Sequence, residues 1–290
     1  MTPLRQRMIE DMQLRGLAPH TQRAYLQAIQ RLAQHYHKSP DQITDEELRQ
    51  YFLSLHHEKH IARSTATVVL SALKFFFEHT LRQPWPTLDL LRPRPTHKLP
   101  VVLSVDEVWH ILAHIQLPQY RACLSTIYTC GLRLPEGVHL TIAEIDSARM
   151  QLHIQASKGN KDRYVPLPPR TLTLLRSHWR THRNPVWLFP AVGPAGDAQP
   201  TATTPVSDRS VQRAFHAALD AAGVTKLATV HTLRHWWATH LLECGVNLRI
   251  IQIWLGHRSP NTTAIYTHLT QKAEQLATGA LDSLTAGMPW

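Results

Sequence analysis

The sequence predicts a mainly α chain with one small β-hairpin or sheet, arranged as two domains. Three observations carry this expectation. The chain has 290 residues, 43% of them hydrophobic, which is enough to build two cores. Pro84, Pro86, Pro93, Pro95 and Pro100 crowd into residues 84–100, with Arg92, Arg94, His97 and Lys98 among them. Prolines at that density oppose helix and favour extended backbone, so the stretch reads as a basic linker. Apolar residues elsewhere recur mostly at helical spacing, while alternation appears at 150–155 and 163–167, on either side of the turn SKGNKD. The expected division is a helical domain at 1–83, a linker at 84–100 and an α+β domain at 101–290 that ends in a helix.

Each element has its own signal. Residues 3–15 and 20–37 have helical spacing, with Gly16 as a stop and Thr21 near a start. Thr44-Asp45-Glu46-Glu47 is a capping box that opens a helix to about Lys59. Ser64 begins TATVVLSALKFFFEHTL, which is apolar almost all round and reads as the central helix of a small bundle, with Phe75, Phe76 and Phe77 in its core. Ser104-Val105-Asp106-Glu107 is a second capping box, opening a helix to about Gln116. Another helix runs from Pro118 to about Cys130 and is ended by Gly131. Pro135 suits the first turn of the next helix, which puts Arg133 at a helix N-terminus, a natural anion site. Strands are expected at Met150–Gln155 and Arg163–Leu167. Helices follow at Leu172–His182, bearing Arg176, Arg180 and His182 on a solvated basic face, and from Ser207 to about Ala222. Residues 191–206, rich in Ala, Gly, Pro and Thr, read as a flexible surface loop. Gln271–Leu284 has helical spacing again.

Composition narrows the partners. Net charge is +10, and the positive excess is shared equally between residues 1–98 and the remainder. Positive charge on both parts suits a protein that grips a nucleic acid from two sides. No run of 18 apolar residues and no apolar leader appears, so neither a membrane span nor secretion is expected. The three cysteines, Cys123, Cys130 and Cys244, fit no zinc spacing and read as buried thiols in a reducing cytoplasm.

The chemistry concentrates in Val230–His268, VHTLRHWWATHLLECGVNLRIIQIWLGHRSPNTTAIYTH. His231 and Arg234 are three apart in an apolar-periodic run and share a helix face. Arg presents a planar fork of donors that matches a phosphate. His moves protons near neutral pH, and Tyr is a nucleophile once something takes its proton. An anion clamp, the imidazoles of His231 and His257 and the phenol of Tyr266 point to phosphoryl transfer through a covalent phosphotyrosine. No Walker loop, carboxylate cluster or H-E-x-x-H occurs, so neither a nucleotide nor a metal cofactor is expected. His235 and His240 read as core or supporting residues, as do Trp236, Trp237 and Trp254, and Tyr120, Tyr128 and Tyr164 as packing positions.

In that stretch H-T-L-R-H, L-G-H and Y-T-H resemble the tyrosine recombinase (phage integrase) family, including integron-type and transposon-borne site-specific recombinases. The resemblance extends to Gly131-Leu132-Arg133 with Glu136 and to Ser157-Lys158-Gly159-Asn160-Lys161, and so covers most of the chain after about residue 98. It departs from the pattern at Pro135, where the family more often has Ser, and at Trp236, where it has smaller or different side chains.

The resemblance implies a SAM-like core-binding domain at 1–83 and a tyrosine recombinase catalytic domain at 101–290. It implies a phosphate clamp of Arg133 and Arg234, whose fixed charges suit a transition state that spreads negative charge over phosphoryl oxygens. Lys158 is expected to protonate the leaving 5′ oxygen, with Lys161 as its rival. His231 is expected to accept the phenol proton or support the clamp, His257 to bond a non-bridging oxygen, and Tyr266 to be the nucleophile. The expected partners are double-stranded DNA recombination sites and further copies of the chain, a tetramer on synapsed DNA, in the cytoplasm or on the nucleoid. No small-molecule substrate is expected. The alternative is a catalytically idle DNA-binding protein on the same fold.

Overall fold

The computed structural model describes residues 2–57, 63–85, 102–157, 161–257, 259–264 and 266. The chain divides into two compact units, Met1–His97 and Lys98–Trp290. Lys158, most of the linker at 84–100 and the helix expected at Gln271–Leu284 lie outside the described residues.

The first unit is helical. Its elements are α1 (Pro3–Leu14), α2 (Pro19–Tyr36), α3 (Asp45–His57) and α4 (Arg63–Phe75). The box at Thr44 forms as expected: Thr44 Oγ1 accepts from the Glu47 amide at 3.3 Å, and a Glu47 carboxylate oxygen accepts from the Thr44 amide at 2.9 Å. Met8, Met12, Leu32, Leu48, Tyr51, Leu73 and Phe76 are the buried centre. α4 does not continue as a plain α-helix; Phe76–Leu81 widens into a π turn. Phe75, Phe76 and Phe77 are all buried. Three consecutive side chains of an α-helix fan too widely to enter one core, and the wider turn sweeps less angle per residue.

The second unit packs helices around a small sheet. It contains α5 (Val105–Ala113), α6 (Pro118–Thr129), α7 (Leu134–Val138), β1 (Ile145–Asp146), β2 (Gln151–Ser157), β3 (Lys161–Pro166), α8 (Pro169–His182), α9 (Asp208–Ala221), α10 (Val230–Glu243), α11 (Leu248–Leu255) and α12 (Pro260–Ala264). The capping box at Ser104 is present with both bonds. α6 is buried along nearly its whole length and is the axis of the core. The sheet is antiparallel in the order β1-β2-β3, so the expected hairpin gains a short third strand. Pairing of Leu152 with Val165 and of Ile154 with Arg163 puts these four on one face, and all four are buried. His153 and Tyr164 pair on the other face with their rings stacked at 4.7 Å.

Four local expectations are corrected. Tyr164 is exposed, because the strand register turns it to the outer face of the sheet. Cys244 is exposed, because it caps the end of α10. His182 is buried and its Nδ1 accepts the Asn184 amide, so it leaves the solvated face that Arg176 and Arg180 keep. The stretch 191–206 is pinned: Asn184 Nδ2 donates to the carbonyls of Pro200 and Ala202 at 2.9 and 3.0 Å, and Trp187 Nε1 to that of Thr203 at 3.0 Å.

Candidate active site

Arg133, Arg163 and Arg234 meet at the end of α11. That helix stops at Gly256, which takes the left-handed conformation at φ 65°. Its last carbonyls have no helical partner and carry the negative end of the helix dipole. Three guanidinium groups cap them. Arg163 Nε donates to Trp254 O at 2.8 Å, Arg133 Nη2 to Leu255 O at 3.4 Å, and Arg234 Nη2 to the same Leu255 oxygen. A side chain on Gly256 would meet Arg163 Cδ at 3.0 Å, so the turn is also the space the arginine occupies.

Each arginine arrives by a different route. α6 ends in a left-handed Gly131 at φ 59°, and the chain turns into α7 with Arg133 at its N-cap. A Cβ on Gly131 would lie 2.5 Å from the Trp237 ring, so α6 and α10 approach closely only because this residue is glycine. Arg234, on α10, donates to Gly131 O at 2.7 Å and is 2% exposed. Arg163 comes from β3, on the buried face of the sheet.

Glu136, in the first turn of α7, joins the three. Its carboxylate accepts from the Arg133 amide at 2.7 Å, from Arg133 Nη1 at 2.6 Å, and from Arg163 Nη1 and Nη2 at 2.8 and 2.7 Å. Arg234 Nη1 lies farther off, at 3.8 Å. Burial opposes ionisation of Glu136, but the bonds and charge of Arg163 outweigh it and hold the carboxyl well below the usual carboxylate range. Burial, with Arg133 beside it, lowers Arg234 to about 9, so it remains charged at neutral pH.

The other groups lie in the field of this cluster. His257 follows Gly256, and its Nδ1 is hydrogen-bonded to Thr263 Oγ1 at 2.9 Å. Burial first, then Arg234 and Arg133, lower it to about 4, so its ring is neutral at pH 7. Tyr266 is fully buried, and its hydroxyl is 2.8 Å from His235 Nδ1. Burial raises the phenol to about 12 against the pull of Arg234. His235 is lowered to about 4 by burial, His231 and Arg234. His231 is exposed on the first turn of α10, its ring 4.8 Å from that of His235.

Of the sequence candidates, Arg133, Arg234, His257 and Tyr266 therefore lie within one electrostatic cluster. His231 stands beside it through His235. Three residues were missed. In the sequence Glu136 is only a motif position after Arg133, Arg163 is not singled out, and His235 has a supporting place. Arg163 did have a signal: in KDRYVP, alternation with Val165 turns an arginine inward. His240 is a core residue as expected, bonded to the Tyr128 hydroxyl and Leu103 O. Among the described residues no group of three His, Cys, Asp or Glu stands close enough to hold a metal ion, and no helix is long and apolar enough to cross a membrane.

Known proteins share this architecture. "Putative integrase/recombinase y4qK" of Sinorhizobium fredii is 43% identical over 270 residues, covering 93% of this chain and 85% of its own. "Tyrosine recombinase XerC" of Alcanivorax borkumensis is 32% identical, covering 92% and 89%. The solved integrase of transposon Tn1549, in complex with transposon right end DNA, superposes with a TM-score of 0.71 at 16% identity, over 97% of this chain and 99% of that one. The N-terminal SAM-like domain of phage integrases matches residues 4–87, over the four-helix unit. The phage integrase model itself matches residues 102–273, the span that holds the arginine cluster and the buried tyrosine, and the chain thus belongs to the phage integrase family of tyrosine recombinases.

Proposed function

We propose that this protein is a site-specific DNA recombinase that cuts and rejoins strands through a 3′-phosphotyrosine at Tyr266, with neither metal nor ATP. The observation that supports this most is the convergence of Arg133 and Arg234 on one helix end, with the phenol of Tyr266 in the field of Arg234. In this reading the two guanidinium groups bind the non-bridging oxygens of a scissile phosphate and stabilise the charge that develops there. Neutral His257 donates a further hydrogen bond. Tyr266 Oη attacks phosphorus, its proton passes to a base, and the 5′ oxygen leaves with a proton from Lys158. The ester keeps the energy of the broken bond, so a second 5′ hydroxyl can reverse the step on another duplex. The first proton acceptor is His235, which lies on the phenol, with His231 one helical turn away to pass the proton outward.

In the same proposal residues 1–83 grip the DNA core site, 84–100 cross its backbone and 101–290 carry the chemistry. Four copies act on two synapsed sites, in the cytoplasm and on the nucleoid. The Tn1549 relative was solved with transposon DNA, and the positive charge on both parts of this chain suits the same class of partner. The test uses nicked duplexes taken from paired inverted repeats beside the gene. The wild type should give a protein–DNA adduct on a denaturing gel, and Tyr266→Phe should bind the duplex and give none. An adduct with Tyr266→Phe would move the nucleophile to another residue.

A further inference from the structure

We propose that Arg163 is a positioning residue for strand cleavage, because it holds the Glu136 carboxylate away from Arg234 and so leaves the positive charge of the clamp available to the phosphate. The inference rests on the recombinase reading above. Its geometry is specific. Arg163 takes Glu136 with both terminal nitrogens, at 2.8 and 2.7 Å, and fixes itself through Nε on Trp254 O at 2.8 Å. All three directions of its fork are used within one buried contact set, a match that lysine cannot reproduce. The same carboxylate holds Arg133 at 2.6 Å but stands 3.8 Å from Arg234.

Charge explains why this matters. Counted over these four side chains alone, three guanidinium groups and one carboxylate sum to +2, which suits a phosphoryl group that gains negative charge. Without Arg163, one carboxylate would face two guanidinium groups, with a single positive charge left over. The carboxylate oxygens released by Arg163 would then turn to Arg234, the guanidinium next in distance after Arg133, and compete with DNA for it.

The experiment measures single-turnover adduct formation on nicked site DNA for Arg163→Gln, Arg163→Lys, Glu136→Gln and the double variant Arg163→Gln/Glu136→Gln. Thermal unfolding and duplex affinity are followed for each. Arg163→Gln should cleave roughly 10–100-fold more slowly, the usual cost of losing a group that orients a reacting one. Arg163→Lys should lie between it and the wild type. The double variant has no carboxylate to compete for Arg234, so it should regain at least about tenfold over Arg163→Gln, although it is no more stable. A double variant as slow as Arg163→Gln overturns the proposal. A crystal structure of Arg163→Gln is the arm that needs no reaction: the 3.8 Å ion pair of Glu136 and Arg234 should shorten to a direct hydrogen bond, at about 2.7–2.9 Å. An unchanged separation also overturns the proposal. Failure of the recombinase reading looks different, since the wild type itself would then give no Tyr266-dependent adduct while the crystallographic arm still decides the role of Arg163.

Discussion

Glu136→Gln tests how much of the catalytic unit's stability runs through one carboxylate. Hydrogen bonds reach Glu136, at 2.6–2.8 Å, from the Arg133 amide, Arg133 Nη1 and both terminal nitrogens of Arg163. Bonds to a charged group are worth about 1.5–3 kcal/mol each. An amide keeps one acceptor oxygen and turns its other end into a donor that faces guanidinium N–H groups. About two of these bonds are lost, and three arginines lose this carboxylate as a counter-charge. The expected loss is about 3–5 kcal/mol at pH 7, the range for breaking a buried ion pair from one side. The pH dependence has a definite sign. The folded-state pKa of Glu136 is depressed below the ordinary 4.5, so its contribution is fully present above that value and is lost as pH falls toward the folded value. The gap between wild type and variant should be widest near pH 7 and narrow steadily below pH 4.5. Urea unfolding followed by tryptophan fluorescence reads this unit, since every tryptophan except Trp85 lies beyond residue 98. A gap under about 1 kcal/mol at neutral pH, or one that does not narrow in acid, would refute the account of Glu136 as the joint of the cluster.

Three further outcomes are expected. His235 and Tyr266 lie at about 4 and 12 in the free protein, so kcat/KM for adduct formation should show no inflection from either group between pH 6 and 9; an inflection near 6.5 that His235→Asn removes would contradict the buried, neutral ring. Excess EDTA should leave cleavage and rejoining intact, and strict dependence on a divalent ion would move the charge stabilisation away from the arginines. A sulfur in place of the 5′ bridging oxygen leaves without a proton, so it should rescue Lys158→Ala but neither Lys161→Ala nor Arg234→Ala, and rescue of Lys161→Ala instead would shift the general acid along the turn.

Much of the fold was legible because its signals are local. The capping boxes at Thr44 and Ser104, the stops at Gly16 and Gly131 and the alternation in β2 and β3 all depend on near neighbours in the chain. The misreadings share a cause, which is tertiary. Residues 191–206 look loose by composition, yet the side-chain amide of Asn184 and the indole of Trp187 hold their carbonyls. The FFF run looks like ordinary helix, and only the need to bury all three rings widens it into a π turn. Tyr164 looks like packing until the register shows which side of the sheet it faces.

The site divides in the same way. Arg133, Arg234, His257 and Tyr266 are visible from residue type and order, because the proposed phosphate clamp and phenol need those side chains whatever the fold. What joins the arginines is not visible, because Arg133 and Arg234 share the backbone carbonyl of Leu255 and Arg163 takes that of Trp254, both at the end of a helix. Any residue can supply a carbonyl, so no motif records it. The requirement appears only indirectly, as Gly256 that ends α11 and exposes those oxygens, and as Gly131 that lets α10 approach α6. The proposed proton path follows the same logic. His231 and His235 are one helical turn apart, and type alone cannot choose between them. Tyr266 Oη lies on His235 because burial of the phenol selects the inner of the two rings. Burial also holds the phenol near 12, so the proposed nucleophile is quiet in the free protein. In the proposed reaction a bound phosphate must therefore do two things: occupy the arginines, and bring the phenol out of the apolar surroundings that keep it protonated.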